Sequence, residues 1–135
     1  MKYVLDANVA AKWALPETGT QNALRIREDY RNQVHELLAP DVFPLEVAHT
    51  LVRAERKKLI TDVPQHLADI MQLSPDLSDS LSLLPRALEI ARQQRRGVYD
   101  GLYIALAERE NARLITADNQ LLSLKGFPIV DLKTF

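Results

Sequence analysis

The sequence of 135 residues contains no cysteine and only three histidines. The absence of cysteine excludes a disulfide framework and a thiolate zinc site. The histidines, His35, His49 and His66, are too scattered to form a dense metal-binding motif. This composition fits a reducing compartment, and we expect the protein to be cytoplasmic.

Long apolar segments are also absent. The longest unbroken apolar run, Leu102 to Ala107, has six residues, far fewer than the ~20 that a membrane span needs. Near the N-terminus, Asp6 interrupts the apolar residues Tyr3 to Leu5, so this part lacks the apolar stretch of a secretory signal. We therefore expect a soluble protein without a targeting or membrane segment.

An excess of charge of one sign is the third feature that the chain lacks. Seventeen Lys and Arg residues oppose 18 Asp and Glu, which gives a formal net charge of −1. By itself this balance gives no sign of a polyanion-binding protein. The apolar share of 47% is typical of one globular domain, and no repeat or low-complexity segment is present. We predict a single domain over residues 1–135.

Short β-rich segments alternate with helical segments along the chain. The predicted strands are Lys2–Leu5, Leu38–Ala39, Arg113–Thr116 and Phe127–Val130, and the loop-like segment 74–79 could hold another. The predicted helices cover 7–15, 20–37, 43–54, a short segment after Pro64, 84–96, 101–110 and 119–124. This alternation predicts an α/β protein, a three-layer α/β/α fold whose central parallel sheet has four to five short strands.

Acidic residues stand where open parallel sheets bind ligands, at the carboxyl ends of the strands. Asp6 ends the first strand, Asp118 ends a late one, and Asp100 follows the β-rich pair Val98-Tyr99. Glu46 lies one turn into the helix after the second strand. These four residues, called the acidic quartet below, can converge on one edge of the sheet.

Each acid also has a purely structural interpretation. Asp6, Asp100 and Asp118 all precede helical segments, where an aspartate can cap the helix for ~1 kcal/mol, although Asn8 could cap the first helix in place of Asp6. Glu46 could form an ordinary pair on its own helix. Capping does not require a carboxylate at every strand end along one edge, however, so the set as a whole favours a functional site.

Crowded carboxylates repel one another, and a divalent cation removes that conflict. An oxygen-only ligand set without cysteine or a required histidine selects Mg²⁺ or Mn²⁺ and not zinc. Magnesium keeps several waters and shares its ligands with substrate phosphates. The quartet therefore predicts hydrolysis of a phosphodiester by a metal-activated water, with room for a second metal at the leaving oxygen.

Four stretches of the chain resemble the four acidic motifs of PIN-domain ribonucleases, and the likeness is greatest to the VapC-type toxins of toxin-antitoxin pairs. The stretches are Val4 to Trp13, Pro44 to Val47, Tyr99 to Ala107 and Leu114 to Asn119. An Asp-x-Asn after a strand is common by itself. The four stretches together, in order across nearly the whole chain, are far more specific.

The resemblance implies a Mg²⁺- or Mn²⁺-dependent endoribonuclease, the toxin of a type II toxin-antitoxin system, with the acidic quartet as its catalytic residues. The implied metal ligands are Asp6, Asp100 and Asp118. The implied accessory residues are Asn8, Thr116 and Asn119. The resemblance also implies a homodimer and a small antitoxin that inserts a peptide across the active site.

One residue departs from the pattern of the family. Gly101 stands where the family often has Ala, and Gly in a helix costs up to ~1 kcal/mol. We therefore expect a less rigid first turn in the helix that it opens, with the chemistry unaffected.

Basic residues offer a surface for RNA once the quartet is set aside. Segments 53–58 and 86–96 each carry four basic residues and one acidic residue, a net charge of +3 in each. These basic residues could simply be an ordinary solvent-exposed surface. Alternatively, they could surround the acidic site and contact the phosphates of RNA. The candidate RNA-binding residues are Arg53, Arg56, Lys57, Arg92, Arg95 and Arg96. Trp13 and Tyr103 are predicted to lie in the core or a dimer interface and not to stack on bases.

Other protein classes fit the sequence less well. A phosphatase of the haloacid dehalogenase type needs a second Asp two residues after the first, where this chain has Asn8. A receiver domain needs an acidic pair beside its phospho-acceptor and a late lysine that cannot be placed here. A catalytically inactive PIN-like RNA-binding or regulatory module is the remaining alternative, although such a module has no need for four clustered carboxylates.

Overall fold

Five parallel strands form one sheet in the computed structural model, which describes residues 1–135. The strands are β1 (Lys2–Leu5), β2 (Glu36–Pro40), β3 (Asp76–Ser78), β4 (Arg113–Thr116) and β5 (Ile129–Asp131). Their order in the sheet is β3-β2-β1-β4-β5, and every neighbouring pair is parallel. The predicted α/β class and the parallel sheet are confirmed, and the fifth strand lies within the segment 74–79.

Seven helices flank the sheet. They are α1 (Ala7–Ala11), α2 (Thr20–Arg31), α3 (Phe43–Arg56), α4 (Val63–Met71), α5 (Ser80–Gln94), α6 (Val98–Arg109) and α7 (Asn119–Leu122). A short 3-10 turn covers Leu132–Thr134. None of the helices is both long enough and apolar enough to span a membrane.

Three predicted helices are shorter than expected, and the last of them ends at Leu122 and not Leu124. The first ends at Ala11 and not Leu15, although Leu15 stays buried. The second ends at Arg31, because the apolar spacing that continues to Leu37 belongs to the next strand, where Leu37 pairs with Tyr3. Leu15 and Leu37 are thus both buried, as the apolar spacing predicts, but neither lies in the predicted helix, and Leu37 is buried as part of the sheet.

The prediction that Asp100 follows a strand and caps a helix is wrong. Helix α6 already begins at Val98, its N-cap is Gly97 in an extended conformation, and Asp100 lies in its first turn. Arg95, with a φ of 54°, ends α5 in the left-handed region, so α6 follows after only three residues. The β-rich pair Val98-Tyr99 is therefore the beginning of α6, the second helix of the hairpin that α5 and α6 form.

The middle of α6 is the most enclosed helical segment. Every residue from Gly101 to Ala107 is buried, since the helix packs on one side against β1, β2 and β4 and on the other against α5. This explains the longest apolar run of the sequence: it has no helical periodicity because both faces of the helix are covered.

Gly101 permits the close approach of α5 and α6. A Cβ atom at this position would lie 2.4 Å from the carbonyl oxygen of Ala87. The glycine therefore fixes the distance between two helices. The expectation of a merely loosened first turn missed this packing role.

Candidate active site

The register between β1 and β4 brings the first and last acids of the quartet together. Leu5 is paired with Ile115, and the backbone N–H of Asp6 donates to the carbonyl oxygen of Ile115 at 3.2 Å. Asp6 and Thr116 therefore leave the sheet side by side at its carboxyl edge. Asp118 follows two residues later, at the start of α7.

Thr116 connects these two acids. Its buried hydroxyl donates to Oδ2 of Asp6 at 2.8 Å and accepts the backbone N–H of Asp118 at 3.1 Å. The carboxylate of Asp118 in turn accepts the backbone N–H of Gln120 at 2.9 Å. Asp118 thus caps α7 as the structural interpretation predicts, and it lies in the site as well.

Asp6 is the acid whose pKa is most perturbed. Its pKa is raised from 3.8 to about 7. Burial is the largest cause, hydrogen bonds from Thr116 and the backbone of Asn8 oppose it, and the charges of Asp100 and Glu46 add to it. The Asn8 N–H donates to Oδ1 of Asp6 at 3.4 Å, so Asp6 and not Asn8 caps α1. The Oδ1 atom of Asn8 is buried without a hydrogen-bond partner.

Glu46 enters the site from the first turn of α3. Burial raises its pKa, the charge of Asp100 raises it further, and interactions with Tyr103 and His49 lower it. The Oε1 atom of Glu46 is buried and makes no hydrogen bond. Of the four acids, Glu46 is the one whose carboxylate accepts no hydrogen bond of standard geometry.

Asp100 shares a guanidinium with Asp118. Nη2 of Arg96 lies 3.1 Å from Oδ2 of Asp100 and 3.7 Å from Oδ2 of Asp118, and Nη1 donates to Gln120 at 2.7 Å. Burial raises the pKa of Asp100, Arg96 lowers it and the charge of Asp118 raises it. Arg96 therefore belongs to the acidic site itself.

The structure thus brings together the whole acidic quartet and two of the three predicted accessory residues. The charges of its members influence one another: Asp6 responds to Asp100 and Glu46, and Asp100 responds to Asp118. Asn8 and Thr116 contact Asp6. Asn119 instead lines a neighbouring cleft of about 390 Å³ with Lys12, a different position from the one expected.

The donor set of the site consists of oxygen atoms only, which fits Mg²⁺ or Mn²⁺. Next to Asp6, the Oδ1 atom of Asn8 is buried without a protein partner, and such an atom is suited to bind a cation or an ordered water. No three acidic or histidine side chains are close enough to form a finished metal-binding group. The guanidinium of Arg96 lies between Asp100 and Asp118.

The other predicted RNA-binding residues lie outside this cluster. Arg53 and Lys57 line a shallow depression beside Glu17, and Lys57 is about 16 Å from Glu46 along the axis of α3. Arg92 lines another surface depression next to Glu89, and Arg95 is the C-cap of α5. Arg56 is exposed in the last turn of α3. Of the six, Arg96 is the one that pairs with the quartet.

Sequence reasoning missed one residue of the site and misplaced another. Tyr103, predicted as a core or interface residue, is indeed buried, but its charged neighbours are Glu46, Asp6 and Asp100. Arg96 is predicted on an outer rim and lies instead among the acids. A signal in the spacing existed for both. Tyr103 lies three residues after Asp100 on the same helix, and Arg96 lies four residues before Asp100, in the turn that precedes α6.

Comparisons with known proteins place the chain among others of this architecture. Residues 3–126 match the family model of the PIN domain. The chain is 30% identical over 125 residues to Ribonuclease VapC3 of Pyrobaculum aerophilum, a match that covers 90% of this chain and 92% of that protein. It is 34% identical over 93 residues to Ribonuclease VapC1 of Mycobacterium tuberculosis, covering 67% of this chain and 68% of that protein.

Solved structures share the fold at lower identity. A crystal structure of a Pyrobaculum aerophilum protein superposes with a TM-score of 0.70 and 22% identity, covering 99% of this chain and 94% of that one. VapBC2 of Rickettsia felis, bound to a DNA fragment from its promoter, superposes with a TM-score of 0.63 and 16% identity, covering 97% of this chain and 98% of that one.

Proposed function

The chain belongs to the PIN-domain family, and from this membership and the geometry of its acidic site we propose that it is a divalent-metal-dependent endoribonuclease. The observation that carries the proposal is the convergence of Asp6, Glu46, Asp100 and Asp118 at the carboxyl edge of the sheet, with the pKa values of three of them raised. Such a cluster costs stability unless a cation neutralises it. The relatives named Ribonuclease VapC support RNA as the substrate.

Asp6, Asp100 and Asp118 would hold Mg²⁺, or Mn²⁺ in its place. Once bound, the ion would polarise the phosphoryl oxygen and lower the pKa of the attacking water. Thr116 holds Asp6 in position through its 2.8 Å hydrogen bond. Glu46 orients the attacking water and accepts its proton at the carboxylate, a role that suits an acid with a raised pKa.

Arg96 is suited to contact the phosphate that is cut. Its Nε is buried without a hydrogen-bond partner, and a guanidinium can bind phosphate and carboxylate oxygens alike. Arg53, Arg56, Lys57, Arg92 and Arg95 would bind flanking phosphates from farther away. Binding through such contacts weakens as the salt concentration rises.

We also propose the biological setting that the relatives suggest, a toxin restrained by a small antitoxin protein that blocks the acidic site. The VapC names of the relatives support this. Its test is co-expression with the product of a short gene adjacent to this one. The two proteins should co-purify and RNA cleavage should fall, and a neighbour that neither binds nor inhibits would contradict the proposal.

A homodimer is the further proposal on assembly. Helix α5 carries three apolar side chains at helical spacing that stay exposed on this chain: Leu81 (76%), Leu84 (39%) and Leu88 (47%). An exposed apolar stripe of this kind is typical of a protein interface. A second copy of the chain is the proposed occupant.

RNA cleavage by the purified protein tests the enzymatic proposal. We expect cleavage with added Mg²⁺ or Mn²⁺, no cleavage in EDTA, and a loss of at least about 100-fold in Asp6→Asn and Asp100→Asn, because each removes a charge that the cation needs. The matched control is Asp69→Asn, on the exposed part of α4, which should stay active. Full activity in EDTA or in Asp6→Asn would contradict the metal mechanism. RNA binding without cleavage, with or without added metal, would favour a module that only binds RNA.

A further inference from the structure

The hydroxyl of Tyr103 is buried near three acids of the quartet and has no hydrogen-bond acceptor of standard geometry. Tyr103 is only 2% exposed and stands in α6 three residues after Asp100. Burial raises the pKa of this hydroxyl, and so do the charges of Glu46, Asp6 and Asp100. The group therefore keeps its proton at every physiological pH and can donate a hydrogen bond to a carboxylate.

Three of the four acids already have donors. Asp6 accepts from Thr116 and from the backbone of Asn8. Asp118 accepts the backbone N–H of Gln120. Asp100 accepts from Arg96. This leaves one carboxylate of the quartet without a donor.

That carboxylate is Glu46, and Tyr103 is its neighbour. Oε1 of Glu46 and the hydroxyl of Tyr103 are both buried and both without a partner of standard geometry, and interaction with Tyr103 lowers the pKa of Glu46. A buried polar group without a hydrogen-bond partner destabilises the folded state. A small side-chain rotation or one bridging water would satisfy both groups at once.

We propose that Tyr103 is a positioning residue whose hydroxyl donates a hydrogen bond to the carboxylate of Glu46, directly or through one water, and thereby fixes the orientation of Glu46 in the site. Its effect on catalysis rests on the proposed ribonuclease function, whereas the contact itself does not. The competing view is that Tyr103 only fills space in the core, as the sequence predicts. Phenylalanine would fill that space equally well.

The experiment is a double-mutant cycle read out by thermal unfolding in EDTA. It combines Tyr103→Phe, which removes only the hydroxyl, with Glu46→Met, which removes the acceptor at similar length. We expect Tyr103→Phe to lower Tm by about 4 °C in the wild-type background, because Glu46 loses its donor. In the Glu46→Met background the same change should leave Tm unchanged or raise it, because the hydroxyl there has no acceptor.

A remote tyrosine provides the control. Tyr30 donates its hydroxyl to the carbonyl oxygen of Ser74 at 2.9 Å, on another part of the molecule. Tyr30→Phe should lower Tm equally in both backgrounds, and it should not alter RNA cleavage. If Tyr103→Phe behaves in this additive way, or raises Tm in both backgrounds, the proposal is overturned.

Steady-state cleavage of RNA with Mn²⁺ then tests the positioning role. We expect Tyr103→Phe to reduce kcat about tenfold with KM changed less than about twofold, since Glu46 acts on the water and not in RNA binding. Combined with Glu46→Met, the Tyr103 change should cost nothing further. An unchanged kcat in Tyr103→Phe would overturn the positioning role of Tyr103.

The two proposals fail in different ways. If the two substitutions change Tm non-additively in a protein that cleaves no RNA, the Tyr103–Glu46 contact stands and the ribonuclease function is overturned. If the two substitutions change Tm additively in a protein that cleaves RNA, the Tyr103–Glu46 contact is overturned and the ribonuclease function stands.

Discussion

Asp6 shows at the residue scale how one position can satisfy a structural rule and a functional one together. Its carboxylate caps α1, as aspartate before a helix commonly does. The same carboxylate is enclosed between β1, β4 and the other acids, and its pKa is raised to about 7, chiefly by burial. Capping explains why an aspartate is tolerated there, but not why the chain accepts the cost of its burial.

The raised pKa of Asp6 makes the stability of the metal-free protein depend on pH. Between the unfolded value of 3.8 and about 7, the folded protein holds a proton that the unfolded chain has released, so stability falls as the pH rises through this window. In Asp6→Asn, which carries no charge at this position, stability should decrease less with rising pH, and only through Glu46 and Asp100. The variant should be more stable than wild type by a few kcal/mol at pH 8. At pH 4 the two should be similar.

Chemical denaturation in EDTA at pH 4, 6 and 8 measures the effect. Asp69→Asn, which alters an exposed acid outside the site, is the control and should keep the wild-type pH dependence. A wild-type pH dependence in Asp6→Asn would show that Asp6 does not carry the effect.

The position of Arg96 leads to a prediction about the affinity of the site for Mn²⁺. The guanidinium of Arg96 lies 3.1 Å from Asp100 and 3.7 Å from Asp118, so it would compete with the proposed divalent cation for the same oxygens. We expect Arg96→Gln to bind Mn²⁺ about fivefold more tightly by calorimetry, because a positive charge is removed from a partly enclosed site. Arg92→Gln, which removes the same charge from the outer surface, should bind Mn²⁺ as wild type does. Weaker binding by Arg96→Gln would mean that Arg96 supports the cation site.

The pairing of α5 with α6 is the decisive feature at the scale of elements. It directs Asp100 and Tyr103 toward the sheet and places Arg96 at the turn between the helices. Arg86 of α5 forms a two-point ion pair with Glu108 of α6 at 2.8 and 3.0 Å. Part of the basic segment 86–96 therefore stabilises the hairpin and is not free to bind RNA.

Gly101 makes this pairing possible, and its substitution should disturb it. In Gly101→Ala the new Cβ would lie 2.4 Å from a backbone oxygen of α5, which neither helix can avoid without moving. We expect a loss of roughly 1–3 kcal/mol of unfolding free energy despite the higher helix propensity of Ala. Because the movement would also displace Asp100, RNA cleavage should fall too.

Gly97 provides the matched control for this prediction. A Cβ atom added there would meet no other atom within 4 Å, and the backbone is in an ordinary extended conformation. Gly97→Ala should therefore cost only the small difference between glycine and alanine as an N-cap, less than Gly101→Ala. Urea unfolding of both variants measures the difference. Equal stability of the two variants would contradict the packing role of Gly101.

At the scale of the whole molecule, the net charge of −1 conceals a separation of charge. The acidic quartet is gathered at one edge of the sheet, whereas the basic segment 53–58 lies at the end of α3, away from Glu46. Such a protein can bring phosphates to an acidic, cation-binding site without a large overall positive charge. A near-neutral total is therefore compatible with an RNA substrate.

Assembly is the property of the whole molecule that the α5 stripe predicts. Wild type should have a mass in solution about twice the 15.3 kDa of the chain, and Leu84→Asp combined with Leu88→Asp should be a monomer, because charges then replace the apolar contact. Leu59→Asp, at another exposed leucine, is the control and should stay dimeric. Light scattering after size-exclusion chromatography measures the mass, and a monomeric wild type would contradict the proposed dimer.

The sequence by itself determined the class of fold and which acidic side chains lie near the carboxyl ends of the strands. Alternating strand and helix signals predict a parallel sheet, and parallel strands bring Asp6 and Asp118 to one edge whatever the details of packing. The lack of cysteine and the scattered histidines leave oxygen atoms as the ligands of the proposed cation. These properties depend on residue type and on local period, which a sequence displays directly.

Only the tertiary structure decided which groups meet the acids. Asp100 reaches the site from a helix and not from a strand end, Arg96 lies between two carboxylates, and Tyr103 faces Glu46. Each of these contacts depends on how closely α5 and α6 pack against each other and the sheet. That distance is fixed by a contact between Gly101 and Ala87, which lie on different helices, and no local period of the sequence encodes it.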